Sequence, residues 1–162
     1  MGGPALIDGI EHEVFDNFEG ELTLFGITYQ SPEHCFQANK FINLFTNPLE
    51  YYKEHVNYHH VCRILTDCAI GAYMLGNRRE YKIRENWDDL RVDIMYQANL
   101  AKIKQNINLQ NLLLDTTGIV TYPRSDRFWN KWNSINLMRI RDELLGDELD
   151  IELDELTKLF TK

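Results

Sequence analysis

Residues 31–41 read Ser31-Pro32-Glu33-His34-Cys35-Phe36-Gln37-Ala38-Asn39-Lys40-Phe41, and they open a helix. Ser31 is placed to cap the first free N–H groups. Pro32 takes the first helical position, where its missing N–H costs nothing. At 3.6 residues per turn, Glu33, Gln37 and Lys40 fall along one line of the helix. Phe36 and Phe41 flank that line, and Cys35, Ala38 and Ile42 form the opposite, apolar face. An acid, an amide and an amine pointing one way among aromatic rings make the start of a site. The same line is also what a solvated helix face looks like, because Glu is favoured in a first turn. The paired phenylalanines argue for the site.

Working outward, Gly2, Gly3, Pro4 and Gly9 give residues 1–9 the look of a flexible lead. Residues 22–25 and 27–30 run apolar or alternate around Gly26, which predicts a strand pair or a bent strand. After the Asn47-Pro48 break, a second helical stretch carries Tyr51, Tyr52 and His55. Residues 61–75 read as one buried helix stopped by Gly76-Asn77. Further helices are predicted from about Trp87 to Gln105, from Asn108 to Asp115 and from Asn133 to Leu145, with a short strand at 119–122. The sum is α+β: a mostly helical single domain with a small β-sheet. A domain over 10–145 is followed by an acidic tail, 146–162, also predicted helical.

The chain has 162 residues, 44% of them hydrophobic and 12% aromatic, enough for one domain with a sizeable core. No apolar run approaches the ~20 residues that span a bilayer. No charged-then-apolar leader is present, and Cys35, Cys62 and Cys68 are odd in number with no CxxC pair, so a cytoplasmic or otherwise intracellular protein with reduced thiols is expected. The net charge of −8 is unevenly placed: eight acids lie from Asp142 onward against Lys158 and Lys162. The remainder is close to neutral, and Arg78, Arg79, Lys82, Arg84 and Arg91 cluster within it. A local basic surface therefore fits a globally acidic chain.

Arg79, Arg84 and Arg91 surround Trp87. Guanidinium groups grip phosphate bidentately and an indole stacks on a base or sugar, so this segment suits a nucleotide. A tryptophan core anchor with solvated arginines has the same pattern. Asp126 and Trp129 form another cluster, with Phe128 between them. Asp126 can accept from ribose hydroxyls while Trp129 walls a pocket, or it can cap the next helix while the rings plug the core. His55, His59, His60 and Cys62 suggest a metal, but no glutamate completes an HExxH arrangement; neither a metal nor a cofactor is expected.

Together these pieces resemble the NADAR family. Its pattern runs S/N-N-F, then Y-x-S/T-x-E-H-x-F-Q-A-x-K-F, met here by Asn17-Phe18, Tyr29, Ser31, Glu33-His34, Phe36-Gln37-Ala38 and Lys40-Phe41. G-R…R-x-x-W is met by Gly76, Arg79, Arg84 and Trp87. Then come Met95, Ala101-Lys102, Gln105-Asn106 and Leu113-Leu114, followed by Asp126, Trp129, Leu137-Met138 and Arg141. There are two departures. The family's G-R is Gly76-Asn77, and the glycine-rich loop after D-x-x-W is shortened to Asn130-Lys131-Trp132-Asn133.

The resemblance implies cleavage of an N-glycosidic bond between ribose C1 and a nitrogen. The implied substrates are ADP-ribosylated guanine, with single-stranded DNA or RNA as a partner, or small ribosylated pyrimidine intermediates. A non-catalytic ADP-ribose-binding module is a third reading, and a structural protein whose acidic tail docks a basic partner is a fourth. In the catalytic readings Glu33 assists as acid or base. Lys40 either attacks C1 as a neutral amine, forming a Schiff base, or orients ligand as an ammonium. Asn17, Tyr29, Gln37, Arg79, Arg84, Trp87, Arg91, Asp126 and Trp129 are the implied ligand-binding set.

Overall fold

Three apolar residues, an Asp-Gly pair and a further apolar position begin the ordered chain. In the computed structural model, which describes residues 2–146, they form a hairpin. Strand β1 (Ala5–Ile7) pairs antiparallel with β2 (Ile10–His12), Ile7 opposite Ile10. That register leaves Asp8 and Gly9 as a two-residue turn, both at positive φ (53° and 78°), as an Asp-Gly turn requires. Within the lead expected to be flexible, Ala5–Ile7 is therefore a strand. It is the central strand of a three-stranded sheet ordered β2-β1-β5, where β5 is Val120–Thr121. Ala5 and Ile7 are fully buried.

The chain divides into two compact units, Met1–Asp16 with Asn106–Lys162, and Asn17–Gln105. The first unit adds two helices to the three-stranded sheet. Helix α5 (Ile107–Leu114) starts at Asn106, whose Oδ1 accepts from the N–H groups of Asn108 and Leu109 at 3.0 and 3.3 Å. Helix α6 (Arg127–Leu145) ends at Gly146 in the left-handed conformation. It begins six residues earlier than expected, so Asn130–Asn133 are helical and not a shortened loop. Arg141 on α6 donates to Thr116 Oγ1 (3.1 Å) and Gly118 O (2.9 Å), tying the turn before β5 to the helix. The acidic tail expected to be helical lies outside the described residues, apart from Gly146.

The second unit carries a hairpin and four helices. Strands β3 (Leu22–Leu24) and β4 (Ile27–Tyr29) pair around Phe25-Gly26, as the sequence predicts. Gln105 clamps this hairpin like an extra strand residue, accepting from Thr23 N–H at 2.8 Å and donating to Thr23 O at 2.7 Å. The helices are α1 (Pro32–Asn39), α2 (Tyr58–Thr66), α3 (Ala69–Gly76) and α4 (Trp87–Lys104). The predicted helix over 61–75 is two helices. Cys68 is extended, its Sγ accepts from Gly71 N–H, and the Asp67 carbonyl is taken by His34 Nε2 at 2.7 Å. The stretch after Pro48 forms only one 3-10 turn, Leu49–Tyr52.

Helix α1 runs through the middle of this unit, packed against α2, α3 and α4. Cys35, Ala38, Ile42, Leu44, Val61, Ile64, Ala72 and Ala98 are among the buried residues of its core. Each fully buried leucine, isoleucine or valine among them contributes about 1.5–3 kcal/mol. No helix among the described residues is long and apolar enough to cross a membrane.

Candidate active site

Every residue of α1 is buried, which removes the solvated-face reading of its polar line. Glu33 is 0% exposed, Gln37 1% and Lys40 8%. Burying an acid, an amide and an amine side by side is costly unless each finds a partner. Gln37 Nε2 donates to Glu33 Oε1 at 2.7 Å, one helical turn away. The Lys40 amine donates to Gly76 O at 2.7 Å and to Asn77 Oδ1 at 3.3 Å, both at the end of α3.

The start of α1 is held differently from the expectation. Ser31 is extended and precedes Pro32, but its hydroxyl makes no capping bond; it pairs with His34 Nδ1 at 2.8 Å. The free N–H of Glu33 is satisfied instead by the Asn17 carbonyl at 2.9 Å. Asn17 is itself fixed, its Oδ1 accepting from Asn99 Nδ2 at 2.8 Å. Asn17 thus sets the position of Glu33 through the backbone.

The far end of α1 is held by Arg84. Its backbone N–H bonds Lys40 O (3.1 Å) and its guanidinium bonds Asn39 O (3.2 Å), so a cation covers the last carbonyls of the helix. Arg84 also lines a cavity of about 240 Å³ with Phe41, His55, Asn57 and Lys82. Arg79 is exposed. Trp87 is buried at the first position of α4, its ring edge-on to Phe36 with centroids 4.8 Å apart, and so anchors α4 on α1. Tyr29 is 1% exposed in the core; burial beside Cys35 pushes its phenol well above the usual range.

Electrostatics single out Lys40. Burial holds its amine below the ordinary lysine value of 10.5. The nearby Glu33 carboxylate pulls it up, and the Arg91 guanidinium pushes it down. Both atoms the amine touches are uncharged oxygens. Arg91 itself ion-pairs with Asp88, one turn earlier on α4, at 3.6 Å. A partly desolvated amine with a lowered pKa beside a buried carboxyl is the chemistry of a nucleophilic lysine with an acid/base partner.

Gly76 and Asn77 were legible in the sequence as a helix stop and as the counterpart of the family's G-R. Here Gly76 does two further things. Its carbonyl accepts from Lys40, and its bare Cα lies against the Gln37 amide; a Cβ built there would lie 1.9 Å from Gln37 Oε1. Among the described residues no three His, Cys, Asp or Glu side chains gather as metal ligands. His60 stacks on Tyr81 at 3.6 Å, while His55 accepts from Asn57 N–H.

Asp126 and Trp129 belong to the other unit. Asp126 caps α6, its Oδ1 accepting from Trp129 N–H at 2.9 Å, and the buried Trp129 ring lies edge-on to Phe128 at 5.2 Å. The capping role predicts that Asp126→Ala destabilises the fold by about 1 kcal/mol in urea unfolding and that Asp126→Ser restores most of it. Equal stability of all three proteins would exclude it.

The NADAR domain profile matches residues 10–145. N-glycosidase YbiA of Escherichia coli strain K12 is 30% identical over 118 residues, covering 71% of this chain. The chain spans 66% of that relative's length, a little under two thirds. The riboflavin biosynthesis protein PYRR of Zea mays is 27% identical over 133 residues, covering 74% of this chain and 20% of that protein. The NMR structure of E. coli YbiA superposes with a TM-score of 0.59 and 27% identity, covering 85% of this chain and 81% of that one. With the profile spanning most of its length, the chain belongs to the NADAR domain family.

Proposed function

We propose that this protein hydrolyses an N-glycosidic bond at ribose C1, and that its substrate is ADP-ribosylated guanine in single-stranded nucleic acid. The observation that carries the reaction is the buried Lys40 amine, held on neutral oxygens about two helical turns along the chain from Glu33.

In this reading the Glu33 carboxyl gives a proton to the ribose ring oxygen as the sugar opens. The Lys40 electron pair adds to C1. The C1–N bond to the base breaks, and the departing nitrogen leaves with a proton from the amine. Water then adds to the resulting iminium carbon, the Lys40 amine is expelled, and the sugar closes again. The balance is one water consumed, its hydroxyl on C1 and its hydrogen on the base nitrogen. Arg84 spends one of its five N–H groups on Asn39 O, so the rest suit a phosphate, with Lys82 beside it in the same cavity.

A second reading keeps the reaction and changes the substrate to a small ribosylated pyrimidine. The similarity to PYRR, a riboflavin biosynthesis protein by name, favours it. A single assay separates the two: release of ADP-ribose from a guanine-ADP-ribosylated single-stranded oligonucleotide, with a ribosylated pyrimidine run in parallel. The first reading predicts release from the oligonucleotide and its loss in Glu33→Gln. That variant still offers an Oε1 acceptor to Gln37, so it removes the acid while keeping the local bond. Release from the pyrimidine alone selects the second reading. Turnover of neither substrate rejects both.

A further inference from the structure

We propose that Asn77 is a positioning residue: together with the Gly76 carbonyl it takes up both N–H groups of the neutral Lys40 amine and thereby aims its electron pair. The inference rests on the reading of Lys40 as the nucleophile. A neutral primary amine has two N–H donors and one pair. The two donors find Gly76 O at 2.7 Å and Asn77 Oδ1 at 3.3 Å, so the pair points away from the end of α3. With one acceptor missing, the amine would rotate about its last C–N bond and the pair would sweep a cone.

The Asn77 amide has a fixed orientation. Its Nδ2 donates to Tyr73 O at 2.7 Å, one of the last carbonyls of α3 that lack a helical partner. Flipping the amide would set oxygen against the Tyr73 carbonyl and NH2 against the amine. Its backbone N–H is also held by the helix end, bonding Met74 O at 3.3 Å.

An arginine at this position would have no acceptor and would carry a charge. Here the groups acting on the amine are Glu33 from α1, Arg91 from α4, and the uncharged Gly76 and Asn77 from α3 and its end. Arg84, after α3, meets the Lys40 backbone carbonyl, and Arg78 pairs with Glu80 at 3.2 Å. Asparagine thus supplies an uncharged acceptor that orients the amine and adds no repelling cation.

The test uses ribose 5-phosphate and cyanoborohydride, with reductive trapping on Lys40 followed across pH by peptide mass spectrometry. It needs no knowledge of the natural substrate. Trapping rises with pH to a plateau set by the neutral amine; the midpoint reads charge and the plateau reads orientation. Asn77→Ala should lower the plateau by about tenfold with little change in midpoint. Asn77→Asp keeps an acceptor but sets its second oxygen against the Tyr73 carbonyl, so its plateau should fall only partly while its midpoint moves to higher pH. Asn77→Arg should lose the plateau and move the midpoint down. Wild-type plateaus in Asn77→Ala and Asn77→Arg would overturn the proposal, as would an Asn77→Asp plateau that falls as far as that of Asn77→Ala. The expected trapping pattern without turnover of any N-ribosyl substrate would uphold the positioning role and reject the glycosidase reading.

Discussion

Lys40→Ala is expected to reduce turnover by on the order of 10³-fold or more, because in the proposed mechanism the amine supplies the bond-forming electron pair and no neighbouring group replaces it. Lys40→Arg should fare no better. A guanidinium keeps hydrogen-bond donors but is always charged and has no pair to give at neutral pH. Borohydride added during turnover should leave a sugar adduct on Lys40 in the wild type and none in either variant. A wild type that turns over without a trappable adduct would reduce Lys40 to an orienting ammonium.

The pH dependence follows from the same amine. Burial lowers its pKa in the folded protein below the 10.5 of an exposed lysine. Turnover should therefore rise with pH through that lowered value, giving an acid limb below the ordinary lysine range. The sign for stability runs the same way. Between the folded and unfolded values the unfolded chain binds more protons, so stability rises with pH up to about 10.5. Lys40→Ala should flatten that slope in urea unfolding measured across the alkaline range. A slope unchanged by the substitution would assign it to another group.

The two ends of α1 show what the sequence could and could not tell. Ser31-Pro32 marks its start and the 3.6 period aligns Glu33, Gln37 and Lys40, because both signals are local to the helix. What makes the line a site is not local. The partners of Lys40 lie 36 and 37 residues away, at the end of a helix whose own start was hidden by a Cys68 cap with no glycine or proline to announce it. Arginine identity was equally ambiguous. Arg84, Arg91 and Arg141 are all cations near aromatics or polar residues, yet Arg84 closes α1, Arg91 acts on Lys40 across α1 and α4, and Arg141 ties a turn to α6. Asp8-Gly9 is the opposite case. It is a strong hairpin signal, overshadowed by the Gly2-Gly3-Pro4 composition beside it. Local rules thus placed the elements, and the long-range partners that turn an element into a site required the fold.

Gly76→Ala is the substitution on which two physical effects disagree in sign. Helix propensity alone predicts a gain of up to about 1 kcal/mol, since Gly76 is the last residue of α3 and its φ is not in the left-handed region. Space predicts the reverse. The new methyl would lie 1.9 Å from Gln37 Oε1, 2.5 Å from Gln37 Cδ and 2.9 Å from Gln37 Cβ, all on a buried side chain of a central helix. Overpacking of this kind costs about 1–3 kcal/mol, so the clash should win and the variant should unfold at lower urea. Function should suffer more than stability. The Gln37 amide can yield only by leaving Glu33 Oε1, and α3 can yield only by carrying the Gly76 carbonyl and Asn77 away from Lys40. Turnover should therefore fall at temperatures where the variant is still folded. In a Gln37→Ala background the two shortest contacts vanish, and the stability cost of Gly76→Ala should shrink by about 1 kcal/mol or more, a coupling that a double-mutant cycle reads directly. If Gly76→Ala proved as stable as wild type in both backgrounds, the close approach of α3 to Gln37 would be wrong. The acceptor for Lys40 would then have to be sought elsewhere.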